Sequence, residues 1–333
     1  MSEIRFVTSS DEHLADNPPG YRKDDYRASI FKKLVYQGVL ARKYQANALL
    51  RGGDFFHIKA ANKTTHSTVS IAARIHQEYS CPTYALAGNH DIVYSDLETI
   101  SRQPLGVMYN TGVFKNLRDE VFEDDSLKVR VVGIPYTAGL DPDFLRQQVC
   151  KLPDDGYVIA FVHALASMAP SEKIQSFFNE PIFDYRDLVF EGCPDAYVFG
   201  HYHKDQGIVD HLGVKFVNLG AVSRGALTFE NLERKPKVSL IKVNSQGLFI
   251  EEHIVPHEDS SQIFDLERKQ QIDREMKSLS DFVEQFRLNA AMSKDNDLKS
   301  RLNGTDWNLF SDDLKSLAME IIEAAESGSI VDE

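Results

Sequence analysis

Residues 83–91 read TYALAGNHD, a short apolar run followed by the polar cluster Gly88-Asn89-His90-Asp91. A run of this length with a turn signal at its end is typical of a buried strand. Polar residues directly after such a strand lie at its carboxyl end, where open α/β sheets form their functional sites. The stretch therefore predicts a strand that leads directly into a functional site.

The same pattern, in which polar residues close an apolar run, occurs at four other places in the chain. These motifs are Asp11-x-His13 after residues 4–8, Gly53-Asp54 after residues 48–50, His163 after residues 156–162, and Gly200-His201-x-His203 after residues 196–199. Each motif alone is weak evidence, because a His-x-His pair occurs often by chance. Five motifs in this order, each at the end of an apolar run, are strong evidence for one shared site.

The rest of the chain up to about residue 257 indicates a layered fold. Helical patterns at about residues 24–45 and 67–79 separate the first three apolar runs, and this alternation is typical of α/β proteins. Residues 120–136, 207–218 and 238–254 each read as an antiparallel hairpin. We therefore predict an α/β (α+β layered) fold of two facing mixed β-sheets flanked by helices.

The C-terminal part of the chain has a different pattern. From about residue 258 the strand signals end, and apolar residues follow helical spacing on both sides of a polar stretch at 293–306. This change predicts a site-bearing domain at residues 1–257 and a C-terminal helical extension at residues 258–333. The extension could cap the site or dock a partner protein.

The composition limits the classes of function that fit the chain. Its 333 residues include 37 lysines and arginines and 50 aspartates and glutamates, which gives a net charge of −13. Proteins that bind nucleic acid by bulk electrostatics are usually basic. The charge therefore argues against a simple DNA-coating protein, but it is neutral about a metal-dependent nuclease.

Other features of the sequence concern the compartment. Cys81, Cys150 and Cys193 are an odd number of widely spaced cysteines, which indicates reduced thiols rather than disulfides. No stretch approaches the roughly 18 consecutive apolar residues of a membrane helix, and the N-terminus lacks the pattern of a signal peptide. We expect a cytoplasmic protein with no membrane association.

The residue types in the five motifs point to metal chemistry. Seven side chains could bind cations: Asp11, His13, Asp54, Asn89, His163, His201 and His203. Imidazole suits Mn, Fe and Zn, whereas carboxylate suits Mn and Mg, so the mixed set favours Mn, Fe or Zn. One carboxylate can bridge two cations about 3.5–4 Å apart, and a hydroxide held between them can attack phosphorus in line with the leaving oxygen. A nearby histidine that is not a ligand can protonate the leaving group.

The five motifs resemble those of the calcineurin-like metallophosphoesterase superfamily over roughly residues 1–255. The resemblance implies the metallophosphoesterase β-sandwich with two divalent metal ions, Mn above all, with Fe, Zn or Mg as alternatives. By this resemblance the first ion would be bound by Asp11, His13 and His203. The second would be bound by Asn89, His163 and His201, and Asp54 would bind both. The resemblance also implies that His90 is the catalytic histidine beside the phosphate and that Asp91 orients it.

The second motif, Gly53-Asp54-Phe55-Phe56-His57, narrows the resemblance. A histidine three places after the bridging aspartate is similar to the SbcD-type DNA double-strand-break repair nucleases. Residues Asn218–Arg224 also stand where that group has an Asn-Pro-Gly-Ser…Arg segment, although Leu219 and Ala221 depart from it. This closer resemblance implies Mn-dependent exonuclease and endonuclease action on DNA in recombination, repair or replication, with His57 acting on the substrate phosphate or the metal-bound shell.

The resemblance to SbcD-type nucleases also implies partners, namely DNA, a second copy of the chain in a homodimer, and a coiled-coil ATPase of the SbcC type docked beyond the phosphoesterase domain.

Two other functions fit the same motifs. One is a phosphatase or small-nucleotide phosphodiesterase, because the core chemistry is shared across the fold. The other is a non-catalytic scaffold that binds a partner through its C-terminal helices.

Several residues near the motifs also have a plain structural interpretation. His57 could be a hydrogen-bonded structural histidine, and Glu12, which is unusual within its motif, is interpreted as loop variation. The basic residues that follow the first motif would either face DNA phosphates or form a solvated helix face. These residues are Arg22, Lys23, Arg27, Lys32 and Lys33.

Overall fold

The computed structural model describes residues 2–58, 64–153, 156–168, 170, 180–271 and 274. One compact unit is Met1–Phe264, and a second is Asp265–Glu333. Nearly all of the predicted C-terminal extension lies outside the described residues, so its helices, its boundary at residue 257 and its role stay predictions. Among the described residues, no helix is long and apolar enough to cross a membrane.

The first unit alternates strands with short helices. Its strands are β1 Glu3–Ser9, β2 Ala48–Arg51, β3 Thr83–Ala85, β4 Phe114–Asn116, β5 Asp119–Asp124, β6 Leu127–Ile134, β7 Tyr157–His163, β8 Ala166–Ser167, β9 Phe183–Asp184, β10 Ala196–Gly200, β11 Asp205–His211, β12 Val214–Leu219, β13 Lys237–Asn244 and β14 Gly247–Ile254. Its helices are α1 Tyr26–Lys43, α2 His66–Gln77, α3 Pro104–Asn110, α4 Pro142–Val149, α5 Phe229–Glu233 and α6 Ser260–Ile263. Leu97–Arg102 and Tyr185–Leu188 are 3₁₀ helices.

Two mixed sheets of six strands each dominate the described part of the chain. The first has the order β14-β13-β1-β2-β3-β4, in which β1 to β4 are parallel and β13 and β14 are antiparallel to their neighbours. The second has the order β11-β12-β10-β7-β6-β5, with β11 and β5 antiparallel at its two edges. The predicted fold class is confirmed, and the three predicted hairpins lie at sheet edges.

The core between the sheets is built from alternate residues of their strands. On β7, Ile159 and Phe161 are fully buried in a cluster that also contains Phe6 and Leu50 of the first sheet. Val158, on the opposite face of β7, packs in a second buried cluster. Because both faces of β7 are buried, its sequence is apolar throughout rather than alternating.

Helix α1 packs on the outer face of the first sheet. Its Leu40 lies in a buried cluster with Val7 and Leu49, whose side chains point away from the sheet-to-sheet core. The side chain of Asp25 accepts a hydrogen bond from the backbone N–H of Ala28, and this cap is the reason that the helix begins at Tyr26.

Two of the basic residues near the first motif have a role that the sequence did not predict. Lys33 is only 2% exposed, and its Nζ donates to the carbonyl oxygen of Val222 at 2.7 Å. Arg22 is also buried and donates to the carbonyl oxygens of Ser223 and Arg224 at 3.1 and 3.0 Å. Burial, followed by the charge of Arg22, lowers the pKa of Lys33 well below its usual value. For these two residues both predicted roles, contact with DNA and a solvated face, were wrong.

The sheet-to-sheet core generates a stability prediction. We expect Phe161→Ala to lower the free energy of unfolding by about 3–5 kcal/mol, because it removes a fully buried ring and leaves a cavity. The matched control is Phe144→Ala on α4, where the side chain is half exposed and the expected change is within about 0.5 kcal/mol. Chemical denaturation measures both values, and equal losses for the two variants would contradict the packing described here.

Candidate metal centre

The five motifs lie in loops at the carboxyl ends of parallel strands from both sheets. Three of the loops follow β1, β2 and β3 of the first sheet, and the other two motifs end β7 and β10 of the second. Asp11, His13, Asp54 and His201 have positive φ angles of 58°, 46°, 53° and 84°. This left-handed backbone is uncommon for residues other than glycine and is found preferentially at functional sites.

The structure brings six of the seven predicted ligands together in two groups that share Asp54. Each group has donor atoms that lie within 4.8 Å of one another, and the groups are Asp11, His13, Asp54 and His203, and Asp54, His163 and His201. The seventh residue, Asn89, places its Oδ1 3.4 Å from Nε2 of His163. Asp54 therefore occupies the shared position that was predicted for the bridging ligand.

The spacing of the donor atoms fits a pair of divalent cations. Bonds of about 2.1 Å from a cation to its ligands place neighbouring donors of one octahedral ion about 3 Å apart. The Nε2 atoms of His13 and His203 are 2.9 Å apart, and Nε2 of His203 lies 3.5 Å from Oδ1 of Asp11. On the other side, Nε2 of His163 lies 3.4 Å from Oδ2 of Asp54. The donor set of carboxylate, imidazole and amide oxygen also suits ions such as Mn.

Burial and charge decide the protonation of this centre. Burial alone would raise the pKa of Asp54, but the charge and hydrogen bond of His163 hold it well below its usual range. Burial likewise opposes protonation of His163, yet Asp54 raises the pKa of this histidine to about 9. In the metal-free protein a proton therefore lies where the carboxylate and the imidazole would hold a cation, and metal binding must displace it.

His57 and His90 lie beside the first group of ligands. The His57 and His90 rings are 4.5 Å apart between centroids, and the His90 ring is 4.6 Å from that of His13. Nδ1 of His57 is 3.3 Å from Nδ1 of His13, and the backbone N–H of His90 donates to Oδ1 of Asp54 at 2.7 Å. Both half-buried rings are placed to meet a substrate bound at the centre, and their catalytic roles stay predictions.

The carboxylate of Asp91 has contacts that differ from its predicted role. It accepts hydrogen bonds from the backbone N–H groups of Phe55 and Phe56 at 3.2 and 2.8 Å, and from that of Gly88 at 3.0 Å. These bonds tie the loop that carries Asp54 to the loop that carries Asn89. Asp91 thus joins two ligand loops, and its predicted role in orienting His90 stays a prediction.

Glu12, which the sequence suggested to be loop variation, is completely buried and forms an ion pair with the equally buried Arg51. Arg51 also donates to Oγ of Ser9 at 3.0 Å and to Nε2 of His76 at 2.6 Å. Glu12 lies between two ligands of the first motif, and Arg51 directly precedes the glycines of the second. The pair therefore fixes two ligand loops to each other, and the correction follows from burial that no local pattern reveals.

A further residue that the motifs did not indicate is Glu180. Its Oε2 lies 2.9 Å from Nε2 of His201, and its Oε1 accepts a hydrogen bond from the hydroxyl of Tyr136 at 3.1 Å. Glu180 precedes β9 and belongs to none of the five motifs, so sequence spacing gave no signal for it.

The chain is similar to one protein family and to several solved structures. The family model of calcineurin-like phosphoesterases matches residues 4–205. Among solved structures, the chain is similar to an archaeal phosphodiesterase, with 12% identity, a TM-score of 0.37 and coverage of 76% of this chain and 100% of that chain. It is also similar to a dimetal phosphatase from Danio rerio, with 11% identity, a TM-score of 0.45 and coverage of 77% and 99%. A third similar structure is the sulfate thiohydrolase SoxB from Thermus thermophilus, with 11% identity, a TM-score of 0.45 and coverage of 76% and 56%. No curated protein matches the chain.

The buried ion pair generates a prediction about stability. We expect Glu12→Gln to lower the free energy of unfolding by about 3–5 kcal/mol, because it leaves the charge of Arg51 buried without its partner. The control is the same change at Glu258, whose pairing with Lys32 is exposed and should contribute about 0–1 kcal/mol. Urea denaturation compares the variants, and a small loss at Glu12 would show that the pair does not hold the loops.

His76 generates a prediction about pH. Because His76 accepts a hydrogen bond from Arg51, it is neutral in the folded protein, and burial followed by the charge of Arg51 lowers its pKa well below 6.5. The unfolded chain takes up a proton near pH 6.5, so this contribution to stability is intact above that pH and is lost at about 1.4 kcal/mol per pH unit below it. The stability advantage of wild type over His76→Gln should therefore shrink from about pH 7 to about pH 5.

Denaturation curves at several pH values measure this difference. The control is His66→Gln, at an exposed position on the same helix, for which the difference from wild type should not show this decline. An advantage that stays constant for His76 over this pH range would contradict the neutral, buried state.

Proposed function

Because the chain belongs to the calcineurin-like phosphoesterase family, we propose that it hydrolyses phosphodiester bonds with two divalent cations and that its substrate is DNA, as in SbcD-type nucleases. The observation that carries the DNA assignment is the position of His57. This residue, which supplied the closer resemblance, lies beside His13 and His90 at the candidate centre.

The ligands divide as the two groups suggest. Asp11, His13 and His203 would hold one cation, Asn89, His163 and His201 the other, and Asp54 both. Bound cations would supply a nucleophile at neutral pH and stabilise the charge that develops on the phosphate. We propose Mn as the native ion, since it accepts both imidazole and carboxylate ligands.

The two remaining histidines would act on the substrate directly. The backbone N–H of His90 donates to Asp54, which holds this residue beside the ligands. From there it would give a proton to the leaving oxygen or stabilise the charge on it. His57, whose ring lies 4.5 Å from that of His90, would contact a phosphate oxygen and so position the substrate.

The charge distribution constrains how DNA would be recognised. The net charge is −13, and Arg22 and Lys33 are buried against backbone carbonyls rather than presented to solvent. Arg27 forms an ion pair with Asp16. We therefore propose that recognition is short-range, through the cations, His57 and His90, rather than through a broad basic surface.

The proposed function includes partners as well as a substrate. By the same resemblance we propose a homodimer and a coiled-coil ATPase of the SbcC type, docked by the C-terminal extension. Most of that extension lies outside the described residues. Sedimentation velocity of the full chain tests the dimer directly, since a monomer at micromolar concentration would contradict it.

A nuclease assay tests the proposal about the substrate. With Mn present, we expect cleavage of linear double-stranded or single-stranded DNA, followed on gels beside the hydrolysis of a bis(p-nitrophenyl) phosphate reporter. His90→Asn should slow both reactions by about 10²–10⁴-fold, because it removes the proton donor. His57→Asn should slow DNA cleavage more than reporter hydrolysis, because the reporter lacks a neighbouring phosphate.

One control and two results distinguish the alternatives. His66→Asn, at an exposed position away from the motifs, serves as the control and should leave both rates unchanged. Reporter hydrolysis with intact DNA would favour a phosphatase or small-nucleotide phosphodiesterase. Metal binding without hydrolysis of either substrate would favour a scaffold.

A further inference from the structure

The contact between Glu180 and His201 identifies which nitrogen of His201 carries the proton. Nε2 of His201 lies 2.9 Å from Oε2 of Glu180. An ionised carboxylate can only accept hydrogen bonds, so Nε2 must be the protonated nitrogen of the ring. In a neutral imidazole the lone pair is then on Nδ1, and Nδ1 is the atom that can bind a cation.

Other histidines at the centre follow the same arrangement. Nδ1 of His163 donates to the carbonyl oxygen of Gly52 at 2.7 Å, which leaves Nε2 to face Asp54. Nδ1 of His13 contacts Nδ1 of His57, and Nε2 of His13 faces Asp54 at 3.7 Å. For His163 and His13, one nitrogen is therefore held by a neighbour and the other faces the ligands. Glu180 is the neighbour that does this for His201.

The carboxylate of Glu180 contacts His201 without joining the predicted ligands. The donor groups formed by the described residues contain Asp54, His163 and His201 together, but not Glu180. If Glu180 were itself a ligand of the same cation in this geometry, its oxygen would lie within the same short distance of all three.

Tyr136 in turn holds Glu180. The hydroxyl of Tyr136 donates to Oε1 of Glu180 at 3.1 Å, and its ring lies 5.4 Å from that of His201. Burial, followed by the charge of Glu180, raises the pKa of Tyr136, so the hydroxyl keeps its proton and remains a donor. The side chain of His201 is nearly buried, while that of Glu180 is about one-third exposed. The series of contacts therefore runs from the solvent-facing Glu180 to His201 at the metal centre.

We propose that Glu180 is a positioning residue of the second metal site, which fixes the tautomer and orientation of His201 and is itself held by Tyr136. A carboxylate on the outer nitrogen of a histidine ligand makes the ligand more basic and restricts its rotation. This inference rests on the two-cation part of the proposed function and is independent of whether the substrate is DNA.

Metal titration of the full chain tests this role without any substrate. After removal of metal with a chelator, calorimetry with Mn²⁺ should show two ions bound by the wild type. Glu180→Ala should weaken one of the two ions by about 10–100-fold and leave the other within about twofold. Glu180→Gln should lose less, because its amide oxygen can still accept from Nε2, and Tyr136→Phe should also lose less.

The control is Glu191→Ala, which removes an exposed carboxylate from a nearby part of the chain and should change neither affinity. Two unchanged affinities in Glu180→Ala would overturn the inference while leaving the proposed function intact. Uptake of fewer than two ions by the wild type would contradict the proposed function itself, and the inference with it.

Cobalt substitution distinguishes positioning from direct ligation. At saturating Co²⁺, Glu180→Ala should keep the visible absorption intensity of the wild type, because the number of ligands on each ion is unchanged. A change in intensity that corresponds to a lost ligand would overturn the positioning role and make Glu180 a ligand.

Discussion

The centre depends on keeping the carboxylate of Asp54 ionised where water cannot reach it. This side chain is fully buried, and an isolated buried carboxylate would be far more stable protonated. His163 compensates, because its Nε2 lies 3.4 Å from Oδ2 of Asp54 and its pKa is raised to about 9 by that carboxylate. A pair of cations held by Asp54 and its neighbours would neutralise this charge, so the surrounding loops must bring their ligands to it.

Bringing the ligands to Asp54 requires precise placement of loops from two different sheets. The rigid core between the sheets fixes where β1, β2 and β3 end relative to β7 and β10, since packed interiors resist small displacements. Polar connections then refine the placement. Asp91 joins the Asp54 and Asn89 loops through backbone N–H groups, and the buried pair of Glu12 and Arg51 joins the first two motifs.

The sequence predicted the fold class and one shared site because both are encoded locally, whereas the division of the ligands came from the family resemblance. Each motif stands within a few residues of its strand, so apolar runs and polar ends are visible without knowledge of contacts. Glu12 and Lys33 were misinterpreted because their roles depend on burial by distant residues, such as Arg51 and the carbonyl of Val222. Glu180 was missed for the same reason, since its partner His201 lies 21 residues away in a different loop and no motif links them.

The left-handed backbone at Asp11, His13, Asp54 and His201 limits how the protein can be engineered. Each such residue costs on the order of 1–3 kcal/mol relative to a relaxed conformation, and glycine would avoid most of that cost. Directed evolution for heat resistance alone would therefore tend to replace these positions and discard the metal-binding side chains. A search for thermostable variants should hold these four residues constant and vary the chain elsewhere.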